Sequence, residues 1–160
     1  MMKKQEFMST FRFWYTWLLI ASWLIIFFGL YLVAFTRTSL FSPLDSLISR
    51  SFEIPNDLTA PPKLLVWLCG VLGATMIGWG IFVWFIVNGP LLRKERWAWF
   101  AMTIGMIAWF IPDTLISVIC GANFNAVLNV MFLLLFLVPL IFIYKDFKEV
   151  PYASQYEPME

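Results

Sequence analysis

The chain has 160 residues, of which 61% are hydrophobic and 13% charged, with a formal net charge of +1 and no histidine. A soluble domain is nearer half apolar and a quarter charged, so a chain this short cannot hide its apolar surface from water, and lipid must be its solvent. The missing histidine removes the commonest general base and zinc ligand, which counts against hydrolytic and metal-dependent chemistry.

Four stretches reach the ~20 apolar residues that a ~30 Å bilayer core requires. No charge occurs between Arg12 and Arg37, which frames a first transmembrane helix over 13–35. Lys3 and Lys4 precede it as in a signal peptide, but the apolar stretch is about twice as long as a signal peptide's and no small-x-small cleavage site follows. It reads as a retained signal anchor.

Residues 36–63 then form a long outer loop. Within it, Ser42-Pro43-Leu44-Asp45 predicts a helix start, with serine as N-cap, proline at the first helical position and a carboxylate in the first turn. Leu44, Leu47, Ile48 and Phe52 recur at helical spacing and predict a short helix lying in the interface or capping the bundle. Ile54-Pro55-Asn56-Asp57 and Pro61-Pro62 read as extended or turn-like.

A second span covers 64–87, free of charge and stopped by Asn88-Gly89-Pro90. Gly70, Ala74 and Gly78 lie four apart along it, and small residues at that spacing let another helix approach closely. Ala101 and Gly105 in the third span can play the same part. The short 88–96 connection predicts that these two helices are antiparallel neighbours; the alternative use of the glycine stripe is a homodimer seam.

The third span covers 97–119 and the fourth 125–144, joined by a tight turn at Gly121-Ala122-Asn123. Residues 149–160, with Pro151, Pro158, Glu149, Glu157 and Glu160, read as a disordered cytoplasmic tail. The fold class is therefore all-α: an antiparallel bundle of four transmembrane helices forming one membrane domain over 1–148, with a short interfacial helix in the outer loop.

Direction follows from the cations. An amino terminus in the cytoplasm places Lys3, Lys4, Arg12, Arg93, Lys94, Arg96, Lys145 and Lys148 inside and only Arg37, Arg50 and Lys63 outside, which satisfies the positive-inside rule. Trp14, Trp17, Trp97, Trp99 and Tyr144 are expected at the inner boundary and Trp67 at the outer one. The expected location is the inner (plasma) membrane, multi-pass, with both termini cytoplasmic.

Asp113 is the one ionisable residue inside a predicted span. Counted from Trp97 it sits ~24 Å into a ~30 Å core, where a carboxylate needs a partner or a task. If the third and fourth helices fold back about Gly121, positions summing to 242 face each other. Asp113 is then level with Asn129 and Ser117 with Asn125, and the spacing of four puts each pair on one face. Trp109 lies one turn deeper, and Trp23 and Trp79 fall near mid-membrane. These residues permit an outward-facing polar pocket with an aromatic floor, with Arg37, Arg50 or Lys63 available at the rim to pair with Asp113. The same residues also serve as interhelical hydrogen bonds relieving the carbonyls freed by Pro112.

Cys69 and Cys120 lack any Cys or His at ligand spacing and read as buried, inert thiols; no metal site or cofactor is indicated. Arg93-Lys94-Glu95-Arg96 beside Trp97 and Trp99 fits a stop-transfer loop at lipid headgroups rather than nucleic acid.

The stretch from Leu92 to Phe147, with RKERWAWFAM, WFIPDT, GANFNAVLN and LVPLIF, resembles a group of small bacterial four-helix inner-membrane proteins that are DoxX-like. The resemblance implies a four-helix inner-membrane protein without an assigned activity. The architecture is also similar, more distantly, to four-helix sterol isomerase and sigma-receptor proteins, which bind lipidic amines using buried acids. The expected role is a non-enzymatic bundle that binds a small lipidic molecule or serves as accessory to a membrane-protein partner. An oligomeric small-substrate transporter is the alternative. An isomerase-like enzyme would need a second acid such as Glu53 or Asp57, and no catalytic pair is identified.

Overall fold

The computed structural model describes residues 2–53 and 63–148, with side chains described over 10–53 and 63–147. Long apolar runs in a solvent without hydrogen-bonding partners leave the backbone only itself to bond to, and the described residues are helical with no strand. Helix α1 spans Met2–Phe35, and a 3₁₀ turn at Ser39–Phe41 leads into α2 (Ser42–Ser51). Helix α3 (Lys63–Ile86) ends in a π-helical turn at Val87–Leu91, followed by α4 (Arg96–Ile119) and α5 (Asn123–Lys148). Four segments are long and apolar enough to cross a membrane: Thr10–Phe35, Lys63–Leu91, Arg96–Ile119 and Asn123–Phe147. The four-helix bundle expected from the sequence is present. Helix α1 begins well before residue 13 and α5 runs past residue 144. The expected connections at 54–57 and 61–62 and the tail at 149–160 lie outside the described residues.

Helix α1 is the hub: it packs against α3 and α5, and α5 packs against α4. Helices α3 and α4, expected as neighbours through their short connection, meet through side chains at Trp79 and Trp109, while the close backbone approach of α3 is to α1. The π-helical turn containing Pro90 and Lys94 with a φ of +60° carry the chain across, and α1 takes the place beside α3.

The reason lies in which glycines meet. A Cβ on Gly29 would stand 2.6 Å from the Gly73 carbonyl oxygen, and one on Gly73 would stand 2.6 Å from that of Gly29. At Gly80 a Cβ would come within 2.7 Å of Ile26 Cγ1 and 3.1 Å of the Ser22 carbonyl oxygen. Gly73 and Gly80 are two turns apart, so one face of α3 is carved to admit α1. The expected stripe is on other faces: no atom lies within 4 Å of a Cβ built at Gly70, Gly78 or Gly105, and Ala74 and Ala101 are exposed. The error is physical. A span bathed in lipid is apolar all round, so small residues on several faces look equally fit for packing.

The core fills the half of the bundle nearest the termini. Leu18, Ile25, Val87, Met106, Phe136 and Leu140 are buried together there. A smaller cluster of Leu32, Phe41, Leu65 and Cys69 lies toward the opposite, loop-bearing face, and α2 rests on it through partly buried Leu44 and Ile48. Leu47 and Phe52, expected on the same apolar face, are exposed. Ser42 is not the N-cap: it is already helical, the preceding residue is Phe41, and its hydroxyl donates to the Ser39 carbonyl at 2.8 Å. The Tyr31 hydroxyl donates to the Leu40 carbonyl at 3.0 Å and holds the turn before α2 to α1. Cys120, expected buried, is exposed at the end of α4.

Proline supplies another tie. Pro139 within α5 has no N–H to give the carbonyl four residues earlier, which belongs to Leu135. The Trp17 indole of α1 donates to that carbonyl at 3.0 Å. Trp17, expected as a boundary anchor, replaces a missing backbone donor. At the terminal face, the Tyr15 hydroxyl donates to Asn88 Oδ1 at 2.7 Å and Lys94 Nζ pairs with buried Asp146 at 3.4 Å.

Two outcomes are expected from thermal unfolding in mild detergent. Gly73→Ala forces α1 and α3 apart and lowers stability by ~1–3 kcal/mol, as overpacking does, whereas Gly78→Ala leaves it unchanged. Trp17→Phe strands the Leu135 carbonyl at ~1–2 kcal/mol. Adding Pro139→Ala, which restores a backbone donor, recovers part of that loss.

Candidate functional site

The α4–α5 hairpin brings the polar residues together. Gly121 takes a φ of +76° just past α4, a conformation that glycine adopts without steric cost. The Ala122 N–H bonds the Ser117 carbonyl at 2.8 Å and the Gly121 N–H bonds that of Val118 at 3.1 Å. This double closure is the Schellman arrangement, and it sets the register of everything above it.

In that register Asp113 Oδ1 accepts from Asn125 Nδ2 at 2.9 Å, from Asn129 Nδ2 at 3.1 Å and from the Ser117 hydroxyl region at 3.3 Å. The Ser117 hydroxyl is nearer the Asp113 carbonyl, at 2.7 Å. Each asparagine uses its second amide hydrogen as well: Asn125 toward Ser117 Oγ at 2.8 Å and Asn129 toward Thr114 Oγ1 at 3.2 Å. Ser117 and Asn129 are buried. The pairing expected from positions summing to 242 is thus what the structure contains, and Thr114 is the member that sequence reasoning missed. Its hydroxyl sits one residue from Asp113, on the same side as Asn129.

The other carboxylate oxygen is used differently. No hydrogen bond to Oδ2 occurs among the described residues, and the one sealed side-chain polar atom left without a partner there is Thr103 Oγ1. Oδ2 is therefore neither bonded nor sealed. Asp113, Asn125 and Asn129 line one side of a cavity of about 570 Å³. No ion pair to Asp113 occurs among the described residues, where Arg93 pairs with Glu95 and Lys94 with Asp146. The expected pairing of Asp113 with Arg37, Arg50 or Lys63 is corrected, since all three are exposed and the amides take the role instead.

The cavity is otherwise apolar. Phe28 and Leu32 of α1, Leu72 and Met76 of α3, and Phe124 and Phe132 of α5 form its walls, with Leu44 and Ile48 of α2 above. Trp79 and Trp109 meet at its floor, with ring centroids 5.7 Å apart, and Phe136 lies 6.2 Å below Trp79. Two expected members behave otherwise. Ser117 supports Asp113 from behind without lining the cavity. Trp23 is outside altogether, 48% exposed and stacked on Phe27 at 5.8 Å, on a side of α1 turned away from the cavity. Glu53 is exposed and does not line the cavity, and Asp57 lies outside the described residues. No group of three potential metal ligands occurs among the described residues.

Because Oδ1 carries all three donors, an amide oxygen can replace it. Asp113→Asn is expected to change unfolding stability by less than ~1 kcal/mol, while Asp113→Leu strands the donors of Asn125 and Asn129 and costs ~2–4 kcal/mol. Thermal unfolding of both variants beside the native protein checks this. No family model, curated protein or solved structure matches the chain.

Proposed function

We propose that this protein binds a small amphiphile drawn from the bilayer, with a hydrogen-bond-donating or cationic head on Asp113 Oδ2 and an apolar body in the cavity. The observation that carries this reading is the divided carboxylate at the wall of an apolar cavity: one oxygen takes three protein donors, and the other has none among the described residues, on a side chain that lines the cavity. A carboxylate kept only for hairpin stability has no need of an open oxygen in low-dielectric surroundings. A volume of about 570 Å³ falls within the ~300–1,000 Å³ typical of small-molecule sites.

The route supports a ligand dissolved in lipid. Since α3 approaches α1 far more closely than α4, the bundle has a seam above the Trp79–Trp109 contact, and Leu72 and Thr75 at that seam are exposed while also lining the cavity. Helix α2 lies across the loop-bearing end. Toward the termini, buried Val83, Met102, Met106 and Phe136 fill the bundle, which favours binding over conduction through a single copy. We place the bundle in the plasma membrane with both termini cytoplasmic, on the strength of eight cations on the terminal face against three on the other. The cavity then belongs to the outer half of the bilayer.

The test is lipid extraction and mass spectrometry of protein purified in mild detergent. One amphiphile per chain is expected with the native protein. At least ~10-fold less is expected with Asp113→Leu, or with Thr75→Trp, which fills the mouth; tenfold corresponds to ~1.4 kcal/mol. A stoichiometric protein partner with no bound amphiphile would instead make the chain an accessory subunit.

A further inference from the structure

The asparagines that hold Asp113 have a chemistry of their own left to use. An asparagine side chain carries two N–H donors and one acceptor oxygen. Asn125 and Asn129 spend both donors on α4, but no hydrogen bond reaches Oδ1 of either residue among the described residues. Neither oxygen is sealed, because Thr103 Oγ1 is the one sealed side-chain atom without a partner there. Asn129 shows this most clearly. The residue is 3% exposed, its unpartnered oxygen keeps part of that small surface, and the residue lines the Asp113 cavity.

With Asp113 Oδ2, the polar wall of the cavity therefore holds three acceptor oxygens and no donor for them. They are neighbours by construction: both amides donate to the same carboxylate oxygen, at 2.9 and 3.1 Å, which holds their own oxygens beside it. On the other walls, Thr75 gives its hydroxyl hydrogen to the Val71 carbonyl at 2.9 Å. The indole N–H groups of Trp79 and Trp109 belong to the floor, Trp109 being one turn deeper than Asp113.

We infer that Asn125 and Asn129 read the ligand's head with their amide oxygens beside Asp113 Oδ2, and that this head is a primary ammonium. The inference rests on the reading of the cavity as an amphiphile site and narrows it to one class of head. A primary ammonium brings three N–H donors and the charge opposite to the carboxylate, so each bond is charge-assisted. A hydroxyl brings one donor and leaves two oxygens desolvated without a partner. A quaternary ammonium brings the charge and no donor. A carboxylate or phosphate head sets acceptor against acceptor and is rejected.

The full chain in neutral detergent is titrated calorimetrically at neutral pH with decylamine, with its mono-, di- and trimethylated forms, and with decanol. The amines share one chain and one charge and differ in the N–H donors they keep. Each methyl is expected to weaken binding about 10-fold, with decanol at least about 10-fold weaker than decylamine. A series that is flat, or flat until the last N–H is lost, would mean that the asparagine oxygens read nothing; decanol equal to decylamine would overturn the ammonium. Either result refutes this inference and leaves the amphiphile site standing, whereas binding by none of the five probes overturns both. Asp113→Asn, which keeps the hairpin and puts an amide nitrogen where Oδ2 stood, is expected to level the series; a series that survives it refutes the assignment to this site. If that variant fails to fold, Thr75→Trp at the mouth decides in its place: lost decylamine binding supports the site, retained binding refutes it.

Discussion

Hydrocarbon offers a polar group nothing to bond to, and most polar side chains described in this bundle are placed as that constraint requires. Hydroxyls of Thr16, Ser22, Thr36, Thr75 and Ser117 turn back onto carbonyls of their own helices. Where proline removes a donor from α5, an indole from α1 supplies one. Asparagines 125 and 129 spend both amide hydrogens on α4. Against that background an unbonded carboxylate oxygen on a side chain that lines a cavity stands out, because the same fold satisfies most other polar groups. The functional reading rests on that contrast.

Packing and polarity divide the labour by depth. Toward the termini the bundle is filled by side chains, and toward the other face it opens around Asp113. The division follows from where the helices can approach. Gly73 against Gly29 and Gly80 against Ile26 draw α3 to α1, so α3 approaches α4 less closely, through side chains such as Trp79 on Trp109. Helix α4 is held mainly by α5, through the Schellman turn and the amide ladder at one end and through Trp99 and Arg96 at the other. A seam between α3 and α4 is the geometric remainder of those two commitments, and the cavity occupies it.

Much of this was readable from the residues alone, and the exceptions share a cause. Length and charge located the four spans because the bilayer imposes a fixed thickness. The turn at Gly121 then placed Asp113 beside Asn129 and Ser117 beside Asn125, since a tight hairpin leaves no freedom of register. Trp79 and Trp109 followed from depth. What failed were the inferences about which side of a span faces inward where no polar residue marked it. Gly70 and Gly78 were chosen over Gly73 and Gly80, and Trp23 was placed inside although its side of α1 is turned away from the cavity. In water, polarity marks the outer face of a helix; in lipid both faces are apolar, and only close-approach geometry distinguishes them. Thr114 escaped notice because a threonine in a span is ordinarily satisfied by its own helix.

The account turns on what holds the Asp113 carboxylate. Solid-state NMR of the labelled protein in lipid vesicles can detect through-space transfer from side-chain nitrogens to the Asp113 carboxylate carbon. Correlations from the Nδ2 atoms of Asn125 and Asn129, with none from an arginine or lysine of the protein, are the predicted result. A correlation from Arg37, Arg50 or Lys63, or the absence of both amides, would contradict it, for the open oxygen on which the ligand site depends would then be already occupied.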